Sequence, residues 1–240
     1  LQEHDLARNT IVVFTSDNGF LIGEHGLIDK RNAYQPSVRV PFLVWGPGLV
    51  PAGQVNQARL RNLDFAPSFL ELAGAQIPRQ FEGSSAAGLW TGRMTAADWH
   101  PGDFVYEYYW EYNFPHTPTT FAITRGNMKY IQYYGVYDRD ELYDLAADPD
   151  EMHNLADLPQ YAPLKQELRL ALYQQLANSD GEHMIPYGAR LSTGSVRRRI
   201  GGTGAAPFPD SWHIEPNPTD RFDGVAPDGP AKWQAQAEGR

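Results

Sequence analysis

The 240 residues carry 29 acidic and 20 basic side chains, a formal net charge of -9, 42% hydrophobic residues and no cysteine. This length and apolar content suit one sizeable core, or a large domain with a smaller one, and exclude a peptide or a wholly disordered chain. The negative charge opposes non-specific attraction to nucleic acid or anionic lipid; the missing cysteines exclude disulfides, thiolate metal ligands and a cysteine nucleophile within these residues; and no apolar run approaches the ~20 residues of a membrane span.

The opening LQEHDLARNT reads as the end of a helix entering a strand, so the chain is expected to begin in mid-domain. Residues 11–14, IVVF, are β-branched and aromatic without polar alternation, the pattern of a strand buried on both faces of a mostly parallel sheet. That strand ends in TSDNG, and open α/β sheets place their ligand sites at the carboxyl ends of strands. After a long polar loop, VPFLVWGPG at 40–48 reads as a second buried strand leaving into a loop. In NLDFAPSFLELAG, Asp64 is placed to N-cap a helix with Pro67 in its first turn, Phe69, Leu70, Leu72 and Ala73 on its apolar side and Gly74 as its stop.

Residues 81–103 are rich in Gly, Ser and Pro and suit a connector, which puts a boundary near residue 100. Beyond it, DFVYEYYWEY and TFAITRGNMKYIQYY predict a small antiparallel sheet with a hairpin at Arg125-Gly126-Asn127. ELYDLAADPDEMHNLAD adds a strand and a turn at Asp148-Pro149-Asp150. Leu164, Leu168, Leu170, Leu172 and Leu176 then predict a helix over 163–178 whose apolar face covers one side of that sheet. From about residue 180 the chain turns Gly- and Pro-rich without periodicity, and the basic run Arg197–Arg199 reads there as a solvated segment. The expected architecture is α/β: residues 1–100 as part of an α/β domain, 101–180 as a small α+β subdomain and 181–240 as a surface-wrapping or disordered tail.

Four side chains in residues 15–31 are candidates for chemistry. Asp17 and Asn18 offer the oxygen donors that a hard divalent cation prefers, held at a strand end; Asp-Asn-Gly is equally a turn formula. His25, in Gly-Glu-His-Gly, is a candidate proton donor, anion contact or ligand, or a histidine that merely holds its loop. Lys30 is either a solvated charge or an ammonium aimed at an anion.

Taken together, TSDNG, then GEHG, then Lys30 with Tyr34 four residues on, then SVRVPFLVWGPG, resemble the type I sulfatases of the alkaline phosphatase superfamily. NLDFAPSFLELAG, FEGSSAAGLWTG, ITRGNMKYIQYY and ELYDLAADPDEMHNLAD resemble sulfatase C-terminal segments in their usual order, so the resemblance covers roughly residues 1–178. It implies an alkaline-phosphatase-like sheet, Asp17 and Asn18 as ligands of Ca²⁺, with Mg²⁺ as the alternative, and Lys30 as a contact to the sulfate oxygens. His25 matches a subset of the family and is carried over as a pocket residue. The resemblance implies a sulfated small molecule or glycan as substrate, no nucleic acid partner, and a periplasmic or secreted location.

One departure bears on mechanism. Sulfatases use a formylglycine made from the Cys or Ser of Cys/Ser-x-Pro-x-Arg, and neither motif occurs here. The sequence is therefore expected to represent the C-terminal portion of a sulfatase, inactive alone, with the formylglycine and further metal ligands in an N-terminal half. Two ligands fall short of the roughly six to eight oxygens around Ca²⁺. His116, in EYYWEYNFPHTPTTFAITR with Trp110, is a candidate contact to the group bearing the sulfate, against packing of the second sheet. The competing readings are a phosphodiesterase or phosphonate monoester hydrolase of the same superfamily, whose members tend to carry His where this chain has Asn18, and a non-catalytic glycan-binding module.

Overall fold

The structure is a computed structural model, and it describes residues 1–109, 114, 117–134 and 140–179. The expected tail at 181–240 lies outside the described residues. The chain divides into two units: Leu1–Lys30 with Pro36–Phe104, and Arg31–Gln35 with the described residues from Val105 onward.

In the first unit, two 3-10 turns, Gln2–His4 and Ala7–Asn9, precede strand β1 (Val12–Phe14). A short hairpin of β2 (Leu21–Ile22) and β3 (Ile28–Asp29) follows, then the four-residue helix α1 (Gln35–Val38), which straddles the two units, and β4 (Leu43–Trp45). β1 and β4 pair antiparallel, with Val12 opposite Trp45 and Phe14 opposite Leu43. IVVF thus contributes a strand as read, but its neighbour among the described residues runs antiparallel, and Val12 and Phe14 are 43% and 62% exposed rather than buried. An unbroken apolar run reports β-propensity and demand for burial; it carries no information on the direction of the adjacent strand. Val44, on the other face of β4, packs towards a core of Ala86, Leu89, Trp90 and Trp99.

That core is closed by α2 (Phe65–Leu72) and α3 (Ala87–Trp90). α2 ends where Gly74 takes φ +67°, the left-handed conformation that glycine adopts without a Cβ penalty. Its start differs from expectation. The Asp64 carboxylate does not cap α2 but turns back to the preceding 3-10 turn, accepting from the Arg61 N–H at 2.8 Å, from the Arg61 guanidinium at 2.9 Å and from the Ser84 N–H at 3.0 Å. A fully buried carboxylate needs a cation and several donors, which outweighs the single bond an N-cap would make.

The second unit is a four-stranded sheet in the order β5-β6-β7-β8: β5 (Phe104–Tyr108), β6 (Thr119–Arg125), β7 (Met128–Tyr134) and β8 (Glu141–Asp144). β6 and β7 form the expected hairpin, joined through Gly126, φ +56°, at the first central position of a two-residue turn. Helix α4 (Ala162–Asn178) buries Leu168, Leu172 and Leu176 against Phe121, Ile123, Tyr130 and Leu142. The stripe runs at i+4 spacing, so Leu170, expected on that face, is 57% exposed: two residues from Leu168 it lies about 200° around the helix. The opposite face of the sheet carries Thr120, Ala122, Thr124, Lys129, Ile131 and Tyr133, also buried, and on it lies the strap 31–35, with Ala33 and Tyr34 buried.

Candidate functional site

The β2–β3 hairpin determines where four of the five candidate residues lie. It leaves from Gly19 and returns at Lys30, so pairing of Leu21 with Asp29 brings Asp17-Asn18 and Lys30 to the same end, its base. His25 sits at the other end, in the tip turn Glu24–Gly26, half-buried and at φ +54°. Backbone N–H groups of Glu24 and Ile22 hold the neighbouring Glu24 carboxylate below its ordinary range. The structure therefore groups Asp17, Asn18 and Lys30 and sets His25 apart from them. His116 and Trp110 lie outside the described residues.

At the base, main-chain atoms are held by other segments. Asn62 Nδ2 donates to the Asp17 carbonyl at 2.7 Å. The Gly19 N–H donates to the Ser37 carbonyl at 2.7 Å. Ser37 Oγ donates to the Lys30 carbonyl at 2.5 Å. Gly19 has no space for a side chain, since an added Cβ would fall 2.0 Å from the Pro36 carbonyl oxygen. Within the loop, Asp17 Oδ1 accepts from the adjacent Asn18 N–H at 3.0 Å and from Ser16 Oγ at 3.3 Å, and Asn18 Nδ2 donates to the Gly19 carbonyl at 2.8 Å.

The side chains of Asp17 and Lys30 are exposed, while Asn18 is half-buried. Among the described residues no ion pair involves the Lys30 ammonium or the Asp17 carboxylate. The donors suit a hard cation in kind: Asp17 Oδ2 and the Asn18 amide oxygen are the atoms such an ion takes. In number they are two, and among the described residues no group of three or more His, Cys, Asp or Glu side chains is placed to hold a metal. No helix among the described residues is long and apolar enough to cross a membrane.

The strap that follows Lys30 contains contacts that the sequence reading missed. On the buried face of the sheet, Lys129 and Glu151 pair at 2.6 Å with side-chain exposures of 1% and 0%. Lys129 Nζ also donates to the Ala33 carbonyl at 2.7 Å, and the Gln35 N–H donates to Glu151 Oε2 at 2.6 Å. Between these bonds, Tyr34 and Tyr143 donate to the Glu141 carboxylate at 2.8 and 3.0 Å. Burial first, then the Glu141 charge, pushes both phenols up, so they remain protonated donors. The available signal was parity: in MKYIQYY, Lys129 shares the face of Ile131 and Tyr133, an inward position for a strand covered on both sides.

Residues 23–178 match the family described as N-sulphoglucosamine sulphohydrolase, C-terminal. The N-acetylglucosamine-6-O-sulfatase of Bacteroides thetaiotaomicron is 38% identical over 162 residues, 67% of this chain and 29% of that protein. Human arylsulfatase K is 31% identical over 161 residues, 65% of this chain and 29% of that protein. A protein solved in complex with its substrate D-glucosamine-2-N,6-O-disulfate superimposes with a TM-score of 0.68 at 35% identity, over 75% of this chain and 37% of that one. The chain spans less than a third of the length of the curated relatives it matches.

Proposed function

Because the chain belongs to the family of the N-sulphoglucosamine sulphohydrolase C-terminal domain, we propose that it supplies the cation-and-sulfate clamp of a sulfatase acting on sulfate esters of an amino sugar. The observation that carries this reading is the convergence of Asp17, Asn18 and Lys30 at the base of one hairpin, tied there by Asn62 and Ser37. The substrate class is supported by the names of the relatives, one an N-acetylglucosamine-6-O-sulfatase and one solved with a sulfated glucosamine.

In this reading Asp17 and Asn18 give two oxygen ligands to Ca²⁺, or Mg²⁺ in its place, and the cation, when bound, offsets negative charge on the sulfate. Lys30 presents a compact ammonium to the sulfate oxygens as charge develops on them, an electrostatic contribution commonly of about 3–4 kcal/mol for one well-placed donor. No Cys/Ser-x-Pro-x-Arg sequence occurs in the 240 residues, so the part assigned to this chain is binding and charge stabilisation, and the nucleophile is not assigned to any of its residues. His116 is assigned to the sugar side of the pocket. His25, at the hairpin tip, is proposed as a pocket residue on the family resemblance alone. Residues 1–100 are assigned to the catalytic α/β domain and 101–180 to a C-terminal subdomain, and an exported location accompanies the family assignment.

The test is kinetic. In the full-length gene product assayed on 6-O-sulfated N-acetylglucosamine with Ca²⁺ present, Lys30→Ala and Asp17→Ala are each expected to lower kcat/KM by about a hundredfold or more. Lys30→Ala within twofold of wild type, or turnover of a phosphonate ester in preference to the sulfate, would sink the reading. His116→Ala is expected to raise KM for the sugar sulfate more than for a small aryl sulfate; equal effects on both would remove it from the sugar pocket.

A further inference from the structure

We propose that Ser37 is a positioning residue of the clamp, setting where the Lys30 ammonium points. The proposal rests on the sulfatase reading above. Ser37 is 1% exposed and touches both arms of the clamp through different atoms. Its carbonyl accepts from the Gly19 N–H at 2.7 Å, fixing the residue directly after Asn18. Its hydroxyl donates to the Lys30 carbonyl at 2.5 Å. One buried residue thus references the backbone of the cationic arm, through its hydroxyl, to the backbone of the anionic arm, through its carbonyl.

The chemistry of the residue matters. The Lys30 carbonyl follows the last strand residue of the hairpin, Asp29, and the Lys30 N–H is engaged by the Asp29 carboxylate at 2.6 Å. Its carbonyl is therefore the atom through which another segment holds it. A flexible four-carbon stem separates the lysine backbone from its ammonium, so a loosened backbone spreads the head over a wider range of positions. Transition-state stabilisation by a point charge is sensitive to such spread, because the donor must already be in place when charge develops. Asn62 performs the equivalent service for the Asp17 carbonyl, which leaves the Ser37 hydroxyl as the contact specific to Lys30. Alanine at 37 removes that hydroxyl and keeps the main-chain bond to Gly19, so the substitution separates the two arms.

The experiment is a double-mutant cycle in the full-length enzyme on the sugar sulfate. Ser37→Ala is expected to lower kcat about tenfold with KM within twofold of wild type, and to lower it less than twofold further when added to Lys30→Ala. A loss that multiplies fully with that of Lys30→Ala overturns the proposal, because a merely structural role would act on both backgrounds alike. If Ser37→Ala does not fold, Ser37→Cys, which keeps the size and a weaker donor, is put through the same cycle with the same two outcomes. Failure of this idea is distinct from failure of the sulfatase reading: Ser37→Ala at wild-type kcat beside a crippled Lys30→Ala refutes positioning alone, whereas an undiminished Lys30→Ala refutes the reading beneath it.

Discussion

The buried Lys129–Glu151 pair allows a quantitative test of what orders the strap 31–35. Both side chains are withdrawn from water, at 1% and 0% exposure, and meet at 2.6 Å. Each also bonds a strap main-chain atom, Lys129 to the Ala33 carbonyl and Glu151 to the Gln35 N–H. Lys129→Met leaves the Glu151 carboxylate buried without its cation, and Glu151→Gln leaves the ammonium without its anion. Breaking such a pair from one side costs about 3–5 kcal/mol, because the surviving charge keeps its desolvation penalty and loses its compensation. Replacing both by apolar side chains removes that penalty together with the attraction, so Lys129→Met/Glu151→Met should cost less than the sum of the two single changes. What remains is the two strap groups left without partners, about 1–3 kcal/mol for each buried group stranded. Glu151 also holds φ +56°, a left-handed conformation that a non-glycine residue keeps only when surrounding bonds over-determine it. The measurement is urea unfolding of the 240-residue chain by far-UV circular dichroism, with hydrogen exchange at the Gln35 amide. The double variant is expected to lose less than the two single losses added together, and the Gln35 amide to lose protection in all three. Single losses below about 1 kcal/mol, or unchanged Gln35 protection, would refute the reasoning.

Two further predictions concern the second unit. Leu168→Ala should destabilise by about 2–5 kcal/mol as a buried core truncation, while Leu170→Ala, on an exposed side chain, should stay within about 0.5 kcal/mol; equal effects in the same urea experiment would contradict the face assignment of α4. Burial raises the Asp140 carboxyl above its ordinary value of 3.8, against the lowering effect of the Tyr130 hydroxyl, which donates to Oδ2 at 2.8 Å, and of the Lys165 and Arg169 charges, with Asp157 adding to the rise. A carboxyl raised in the folded state binds more protons there than when unfolded, so its ionisation subtracts stability as pH rises from 3.8 through its folded value. Asp140→Asn should therefore gain stability over wild type at neutral pH and lose that advantage towards pH 3.8, and a pH-independent difference would contradict this.

Local pattern carried much of the fold. The β6–β7 hairpin was legible because Gly126-Asn127 interrupts two β-branched and aromatic runs, and α4 because leucines recur at i+4. Where the sequence misled, the competing effect was tertiary. IVVF identifies a strand, but strand direction is decided by which segment pairs with it, here 43–45 in the antiparallel sense. Asp64 sits at an N-cap position, yet a buried carboxylate follows its charge partner, and Arg61 lies in the turn before the helix. Asp17, Asn18 and Lys30 were legible as chemistry, since oxygen donors and an ammonium stand out in a glycine-flanked loop. Their supports were not: Asn62 and Ser37 act on the Asp17 and Lys30 carbonyls across separations of 45 and 7 residues, through single hydrogen bonds, and short-range periodicity does not encode such contacts.

Among the described residues, charged groups are held in different ways, and the difference is consistent with the clamp proposed above. Lys129, Glu151 and Asp64 are buried and satisfied by protein partners, which is how a fold accommodates a charge it uses structurally. Asp17 and Lys30 are exposed, and the bonds that other segments make to them go to their carbonyl oxygens, not to their charged ends. Anchoring through the main chain orients a side chain without consuming its carboxylate or ammonium. A merely solvated charge needs no such support: the exposed pair Arg8 and Asp5 simply meet each other across one turn at 2.8 Å. Two oppositely charged residues at one end of a hairpin, each with its backbone held by a different segment, keep their charged ends exposed, which fits the clamp proposed above. On that proposal a cation would meet the carboxylate side and an anion the ammonium side, and a metal-bound sulfate ester would supply both.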